Sequence, residues 1–354
     1  MSGNSFGKIL KLSTFGESHG PAVGGVLEGI PSGMNIDKEF IQHQLNRRKP
    51  GQSSITSPRL EGDEIEFLSG IFEGKSIGTP IAFLVRNKDQ KPEDYEKLKD
   101  VFRPSHADFT YEAKYGLRDY RGGGRSSARE TIARVASGAI AQLLLQQNKI
   151  QIVAYVSQVH QLKLNKHYSE LNFKDIDSNA VRCPDKETAE KFIQLIESIK
   201  ESGNTVGGII SCVIKNVPAG LGEPVFDKLH ADLGKAMLSI NAVKGFEIGS
   251  GFDSVNFTGQ ELNDIFEIRE EKIRTRSNNS GGIQGGISNG EDIFFRVAFK
   301  PIATVLQEQE SVTRTGASTK IKVDGRHDPC VLSRAVPIVE SMAALVIADH
   351  WRSE

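Results

Sequence analysis

The sequence predicts an α+β fold, in which long helices pack against antiparallel sheet. Hairpin-like pairs of strands alternate with amphipathic helices, and this order favours α+β over a doubly wound parallel sheet. No G-x-G-x-x-G motif follows a predicted strand, which disfavours a dinucleotide-binding Rossmann unit. The chain has 354 residues, of which 38% are hydrophobic and 25% charged, so it can bury a large core.

The first half of the chain predicts a hairpin, a helix and two further strands. Residues 7–15 and 23–30 would pair around a glycine-containing turn, and the later strands would cover 65–67 and 80–85. A helix is predicted over 36–48, with Asp37 as its N-cap and Ile36 and Ile41 as a hydrophobic staple. Its end is basic. The helix dipole explains that charge, but a role in ligand binding is equally open.

The second half repeats this layout loosely. Helices are predicted over 185–202, 224–240 and 337–349, and strands over 150–159, 206–217, 241–251 and 293–299. The two halves, about 1–160 and 161–354, share an order of elements but no repeat of residue identity. We therefore expect a single domain over 1–354, with an internal duplication as a suspicion only.

An arginine-rich, glycine-rich loop at 118–130 is the strongest candidate site. Three consecutive glycines at 122–124 lie among arginines, and a helical pattern follows directly. Ser127 and Glu130 have the S-x-x-E spacing of a capping box. Free N–H groups, a helix N-terminus and guanidinium groups together favour an anion site. A solvated turn with scattered arginines is the alternative.

Three histidines lie in polar loops beside other ionisable groups: His19, His106 and His327. A histidine in such a loop can act as a general acid near neutral pH, although for any one of them a structural hydrogen bond is the commoner role. Together with the arginine-rich loop, these histidines favour an enzyme that acts on a small phosphorylated or carboxylated ligand.

The composition and the motifs disfavour several other classes of protein. The net charge is −1, so there is no basic excess for nonspecific binding to nucleic acid, and no apolar run reaches the ~18 residues of a membrane span. Three widely spaced cysteines without a C-x-x-C motif argue against a disulfide framework or a zinc site, and no secretory signal is found. We therefore expect no metal, no membrane and no nucleic-acid partner, and a reducing, cytoplasmic location. No Walker A motif occurs.

Six motifs, in order along nearly the whole chain, closely resemble the chorismate synthase family. They are GESHG at 16–20, RPSHAD at 103–108, YGLRDYRGGGRSSARET at 115–131, PAGLGEP at 218–224, SINAVKG at 239–245 and GRHDPC at 325–330. Members of that family convert 5-enolpyruvylshikimate 3-phosphate to chorismate and phosphate, the last shared step towards the aromatic amino acids. The resemblance implies a β-α-β sandwich assembled as a homotetramer.

The family reaction is a 1,4-anti elimination without net redox change, yet it requires reduced FMN (FMNH2). Carried over residue by residue, the resemblance implies that His19 protonates the departing phosphate and that His106 faces the N1–O2 edge of the flavin. Asp328, with Ser18 and Ser127 as relays, would handle the proton at flavin N5. The protein would supply binding, orientation and proton placement.

The resemblance also implies two sets of binding residues. The FMN contacts would be Arg125, Ser126, Ser127, Asn241, Ala242, Gly285, Lys300, Pro301, Ile302, Ala303, Thr304 and Arg326. The contacts to the anionic groups of the substrate would be Arg48, Arg103, Arg129 and Arg134. Several bidentate arginines suit a substrate with one phosphate and two carboxylates.

One departure from the family concerns the source of reducing power. Many members carry a further arginine where this chain has Ser54, so one contact to an anion or to NADPH is missing. The chain has no obvious extra reductase segment. We therefore expect a monofunctional enzyme supplied by an external flavin reductase or reductant, with NADPH acting only indirectly. A flavin-dependent oxidoreductase on a small anionic substrate is the main rival, and a non-catalytic anion-binding protein is the other.

Overall fold

The computed structural model describes residues 3–57, 61–88, 96–323 and 328–353. Two antiparallel sheets of five strands each enclose a layer of helices, so the expected α+β sandwich is confirmed. The helices are α1 (Lys38–Arg48), α2 (Asp108–Tyr115), α3 (Thr131–Gln146), α4 (Lys186–Glu201), α5 (Leu229–Leu238), α6 (Gly259–Leu262) and α7 (Leu332–Ser353).

The strands fall into two large sheets and four small hairpins. In chain order they are β1 (Ser5–Phe6), β2 (Lys11–Gly16), β3 (Ala22–Glu28), β4 (Ile65–Phe67), β5 (Ile71–Phe72), β6 (Lys75–Ser76), β7 (Ile81–Arg86), β8 (Gln151–Val159), β9 (Leu162–Lys163), β10 (Gly208–Lys215), β11 (Val243–Ile248), β12 (Phe266–Arg269), β13 (Lys272–Thr275), β14 (Ile283–Gln284), β15 (Ile287–Ser288), β16 (Ile293–Phe299), β17 (Gln309–Val312) and β18 (Ser318–Ile321). The large sheets have the orders β1-β2-β3-β7-β4 and β11-β16-β10-β8-β9.

Helices α3 and α7 form the centre of the sandwich. They pack on each other, α3 against β2 and β3 of the first sheet and α7 against β8 and β10 of the second. Both helices are buried on nearly every side, as expected for helices that are apolar all round. Their N-terminal ends reach the same edge of the sandwich, and the candidate site lies there.

Helix α7 begins five residues before the predicted start at Pro337. Proline favours the first helical turn, which is why the sequence places the start there. In the structure Pro337 lies inside the helix, and its missing N–H leaves the carbonyl of Ser333 without its usual helical donor. The guanidinium of Arg182 donates to that carbonyl instead. A residue distant in sequence thus allows the longer helix.

A close approach of α3 to α7 gives a stability prediction. A Cβ at Gly138 would lie 2.2 Å from Cβ and 2.4 Å from Cα of Ser341. We expect Gly138→Ala to lower the free energy of unfolding by about 1–3 kcal/mol, because the backbones of two buried helices must separate. Denaturant unfolding measures this change, and Gly259→Ala, where a Cβ meets nothing within 4 Å, is the control. Equal stability of Gly138→Ala and the parent would contradict the packing.

Candidate active site

A cavity of about 420 Å³ opens at the N-terminal ends of α3 and α7. The loops after β2 and β16 and the segment before α2 complete its wall. All five residues predicted to be catalytic line it: Ser18, His19, His106, Ser127 and Asp328. The structure therefore brings together residues from four separate regions of the chain.

His19 lies in the turn between β2 and β3. Its Nδ1 is 3.1 Å from the hydroxyl oxygen of Ser18, so the two predicted partners are in contact. Gly122 of the glycine-rich loop packs against the ring, with φ of +128°. The glycine at position 122 therefore allows the loop to approach the histidine closely.

This contact predicts the effect of a single methyl group. A Cβ at Gly122 would lie 2.5 Å from Cε1 and 2.6 Å from Nδ1 of His19. We expect Gly122→Ala to lower turnover by roughly 10–10²-fold, because a displacement of about 1 Å in a reacting group has costs of that order. Steady-state kinetics measures it. Gly116→Ala, also at positive φ but with open space around its Cβ, controls for backbone strain, and equal losses in both variants would count against the His19 contact.

His106 is held by a buried carboxylate. Its Nδ1 lies 2.9 Å from Oδ1 of Asp108, and Arg103 binds the same carboxylate through Nε and Nη2, both at 2.8 Å. Burial by itself would raise the pKa of Asp108, but hydrogen bonds from Arg103 and His106 hold it well below its usual range. Arg103 lines the cavity as predicted, yet much of its guanidinium is occupied by Asp108.

Asp328 is bound by two groups that the sequence did not indicate. The backbone N–H of Ser57 donates to Oδ1 at 2.7 Å, and the guanidinium of Arg334 forms an ion pair with Oδ2. Arg334 lies in the first turn of α7 and lines the cavity. These contacts stabilise the ionised carboxylate. The neighbouring Arg326 and His327 lie outside the described residues.

Arg48 and Arg129 share one buried acidic residue. Asp63 accepts from Arg48 Nη2 at 2.6 Å and from Arg129 Nη1 at 3.1 Å, and Glu61 also pairs with Arg129. Arg48 is only 1% exposed, although helix-terminal arginines usually extend into water. Its Nε has no hydrogen-bond partner among the described residues. A buried donor without a partner, on a cavity wall, is what an anionic ligand would satisfy.

Positive charge predominates on the described wall of the cavity. Six permanent cations line it, against the two carboxylates of Glu61 and Asp328; the cations are Arg48, Lys88, Arg103, Arg129, Lys300 and Arg334. Burial, followed by repulsion from Lys244, lowers the pKa of Lys300. A bound anion would reverse that effect, so the site suits a ligand with several negative charges.

The predicted capping box is wrong. Ser127 caps a short 3-10 turn, Ala128–Glu130, and accepts from the N–H of Arg129 at 3.3 Å. Glu130 instead pairs with Arg134 and accepts from Thr14. Helix α3 begins only at Thr131, so tertiary partners outcompete the local capping pattern. The solvated-turn alternative is disfavoured as well, because the loop forms a wall of the cavity.

The predicted flavin contacts divide into two groups. Eight line the main cavity: Ser126, Ser127, Asn241, Ala242, Lys300, Ile302, Ala303 and Thr304. Three other predicted flavin contacts, Arg125, Gly285 and Pro301, do not line it. Arg125 donates to Gly16, Asn4 and Thr14, and faces an adjoining cavity of about 620 Å³.

The remaining two lie apart from the cavity for local reasons. Gly285 is in the turn of the β14–β15 hairpin, and Pro301 is exposed between two residues that do line the cavity. The predicted substrate contact Arg134 also lies elsewhere, because its Nε binds Glu130 at 3.0 Å and its Nη1 binds Ser239 at 2.6 Å.

Several groups that shape this site are not predicted from the sequence. Asp63 and Arg334 belong to no motif, and only the fold brings them to their partners. Asn87 donates to the carbonyls of Gly20 and Glu17 at 2.7 and 3.0 Å and accepts from Arg129, so it ties the His19 turn to the arginine pair. Ser54 lies outside the cavity and donates to Glu197 at 3.0 Å.

The described residues contain neither a metal-binding cluster nor a membrane-spanning helix. No group of three or more His, Cys, Asp or Glu side chains is placed to hold a metal ion. Within the same ranges, no helix has the length and apolar character needed to cross a membrane.

The comparisons with known proteins give the same family over nearly the whole chain. The family model described as chorismate synthase matches residues 10–351. A chorismate synthase of Phocaeicola vulgatus is 61% identical over 348 residues, covering 98% of this chain and 97% of the relative. One of Christiangramia forsetii is 60% identical over 351 residues, covering 99% and 98%.

A solved structure leads to the same family. A crystal structure of chorismate synthase superposes with a TM-score of 0.77 at 32% identity, covering 97% of this chain and 91% of that one. With the family model and the full-length relatives, this likeness shows that the chain belongs to the chorismate synthase family.

Proposed function

We propose that this chain catalyses the 1,4-anti elimination of phosphate from 5-enolpyruvylshikimate 3-phosphate, which gives chorismate. The observation that carries the proposal is the single cavity in which His19, His106 and Asp328 meet a wall of arginines and lysines. The substrate carries a phosphate and two carboxylates, and the arginines and lysines of this wall can give those groups charge-assisted hydrogen bonds.

Reduced FMN fits the residues that line the cavity. Asn241 donates from Nδ2 to the carbonyl of Ser126 at 2.8 Å, while its buried Oδ1 has no partner among the described residues. A ring N–H or a ribityl hydroxyl would satisfy that oxygen. Lys300 and the segment 302–304 supply a cation and backbone groups on the same wall. When bound, reduced FMN supplies electron density for breaking an allylic C–O bond and accepts the hydrogen that is lost.

The protein would hold and move protons around these two ligands. The hydroxyl of Ser18 positions the ring of His19 by its contact with Nδ1 of that ring. His19 then donates a proton to the departing phosphate. Arg48 and Arg129 hold anionic groups of the substrate. Asp328 lines the same cavity, is held in place by its ion pair with Arg334, and would accept a proton there. The relay through Ser18 and Ser127 remains a proposal.

Asp328→Asn tests the proton-handling role. We expect turnover to fall by about 10²–10⁴-fold with the KM for substrate changed much less, because an amide cannot accept the proton. Steady-state kinetics under anaerobic conditions measures this. Asp175→Asn, an exposed carboxylate away from the cavity, is the control. An unchanged turnover in Asp328→Asn would remove that residue from the mechanism.

Four features of the working enzyme are proposed from the family. We propose a single-domain, cytoplasmic homotetramer that takes reduced FMN from an external flavin reductase, with NADPH acting only through that reductase. Three buried free cysteines, Cys183, Cys212 and Cys330, suit a reducing compartment. Under anaerobic conditions, turnover with NADPH and oxidised FMN but no reductase would contradict the monofunctional assignment.

Stoichiometry separates the elimination from an oxidoreductase reaction. The enzyme should be given a fixed, substoichiometric amount of photoreduced FMN without oxygen, together with excess 5-enolpyruvylshikimate 3-phosphate. We expect many molecules of phosphate per reduced flavin, because the elimination consumes no reductant. One reductant consumed per substrate would support the rival oxidoreductase, and ligand binding without any product would support the non-catalytic protein.

A further inference from the structure

The ring of His106 is bound by a carboxylate that already has its full set of hydrogen bonds. Asp108 begins α2 and is 2% exposed. It accepts from the backbone N–H, Nε and Nη2 of Arg103 at 3.1, 2.8 and 2.8 Å, and from Nδ1 of His106 at 2.9 Å. A carboxylate offers about four lone-pair positions, so all are occupied. Nη1 of Arg118 adds an ion pair at 3.0 Å.

This arrangement determines where the hydrogen of the histidine lies. An ionised carboxylate only accepts hydrogen bonds, so Nδ1 of His106 must carry a hydrogen whatever the charge of the ring. Nε2 is then the nitrogen left for chemistry in the cavity that His106 lines. It accepts a hydrogen bond when the ring is neutral and donates one when the ring is protonated.

The two arginines give Asp108 a second property. A lone carboxylate beside an imidazole would favour the protonated ring. Here Arg103 and Arg118 contribute two positive charges against the single negative charge of Asp108. The carboxylate therefore orients the ring while its own negative charge is already paired with two guanidinium groups.

We propose that Asp108 is a positioning residue for the reaction, acting through His106 by fixing the ring orientation and the Nδ1–H tautomer. The proposal rests on the proposed function and deepens it. Asp108 does not line the main cavity, whereas His106 does, so its effect on the reaction would pass through Nε2 of His106.

Asp108→Asn makes the idea testable, because an amide has one oxygen and one NH2 group. The backbone N–H and Nε of Arg103 both donate to Oδ2, so an asparagine oxygen in that position keeps these two hydrogen bonds, and the NH2 group takes the position of Oδ1. The NH2 group then faces Nδ1 of His106, which has to become an acceptor. The variant should therefore convert the neutral ring from the Nδ1–H to the Nε2–H tautomer.

Side-chain nitrogen NMR of 15N-histidine-labelled protein reads this tautomer directly, and the His106→Ala spectrum identifies the signal. We expect Nδ1–H in the parent protein and Nε2–H in Asp108→Asn. Arg118→Gln is the matched control: it removes another partner of Asp108 but keeps the contact to His106, so the Nδ1–H tautomer should persist. An Nε2–H tautomer in the parent protein would overturn the proposal without any variant having to fold.

A double-mutant cycle supplies the kinetic test. Asp108→Asn alone should lower turnover by about 10²-fold or more, as expected when a catalytic imidazole takes the wrong tautomer. Added to His106→Ala, the same change should alter turnover by less than about threefold, since its effect passes through the missing ring. Fully additive losses would overturn the positioning role. A parent protein that makes no chorismate would refute the proposed function instead. The NMR measurement needs no turnover, so it would still test the tautomer of His106.

Discussion

Replacing His106 by alanine should lower turnover by about 10²–10⁴-fold while leaving substrate affinity largely intact. The ring lines the cavity through one edge and is anchored to Asp108 through the other, so its loss removes a proton-handling group without removing a cationic contact to the substrate. Arg103 keeps its bidentate pair with Asp108 in the variant, which should preserve the local fold.

Anaerobic single-turnover and steady-state kinetics with reduced FMN separate these two effects. His43→Ala is the matched control, because His43 is exposed on α1 and lies away from the cavity. Full activity in His106→Ala would remove the histidine from the mechanism. A rise in KM without a fall in kcat would instead assign it to substrate binding.

Arg48→Met should lower both stability and substrate affinity. The side chain is 98% buried and pairs with Asp63 at 2.6 Å, so its loss leaves a buried carboxylate with less compensation. Breaking a buried ion pair on one side costs about 3–5 kcal/mol, and we expect the lower value because Arg129 still contacts Asp63. Loss of a charge-assisted hydrogen bond should raise the KM for substrate by about 10–10²-fold.

A second substitution separates the two roles of Arg48. Asp63 has φ of +46°, a conformation that asparagine tolerates, so Asp63→Asn removes the charge without straining the backbone. Arg48→Met combined with Asp63→Asn should recover much of the lost stability, while the KM stays high. Thermal unfolding and kinetics measure the two outcomes. Wild-type stability in Arg48→Met alone would show that the pair is not needed for the fold.

Local patterns predicted the elements whose signals are contained in a few neighbouring residues. Strand β16 has the predicted bounds, because its hydrophobic run is bordered by polar residues and a proline. Asp37 caps α1 and accepts from the N–H of Phe40 at 2.9 Å, as the pattern indicated. Gly203 follows α4 with φ of +71°, the conformation that ends helices.

The misses share a different cause, which is competition from residues distant in sequence. Glu130 has the spacing of a capping box but pairs with Arg134, so the helix starts later than the pattern indicates. Pro337 suggested a helix start, but Arg182 supplies the donor that lets α7 run through it. Helix α2 has only eight residues, with little apolar periodicity, and was not predicted.

The residues of the candidate site also divide into those with a local sequence signal and those without one. The histidines and the arginine–glycine loop were recognisable because they occur as continuous motifs with unusual composition. Asp63 and Arg334 were not, since each is a single charged residue whose meaning depends on a partner: Asp63 pairs with Arg48, and Arg334 with Asp328. Arg125 shows the converse, because its motif is clear while its guanidinium binds Gly16 and does not line the main cavity.

The most direct test of the account is product formation by the purified protein. The chain should be mixed without oxygen with photoreduced FMN and 5-enolpyruvylshikimate 3-phosphate, and chorismate followed by its ultraviolet absorbance. We expect chorismate and phosphate in equal amounts, with the flavin still reduced at the end. No chorismate under these conditions, or flavin oxidised in step with product, would contradict it.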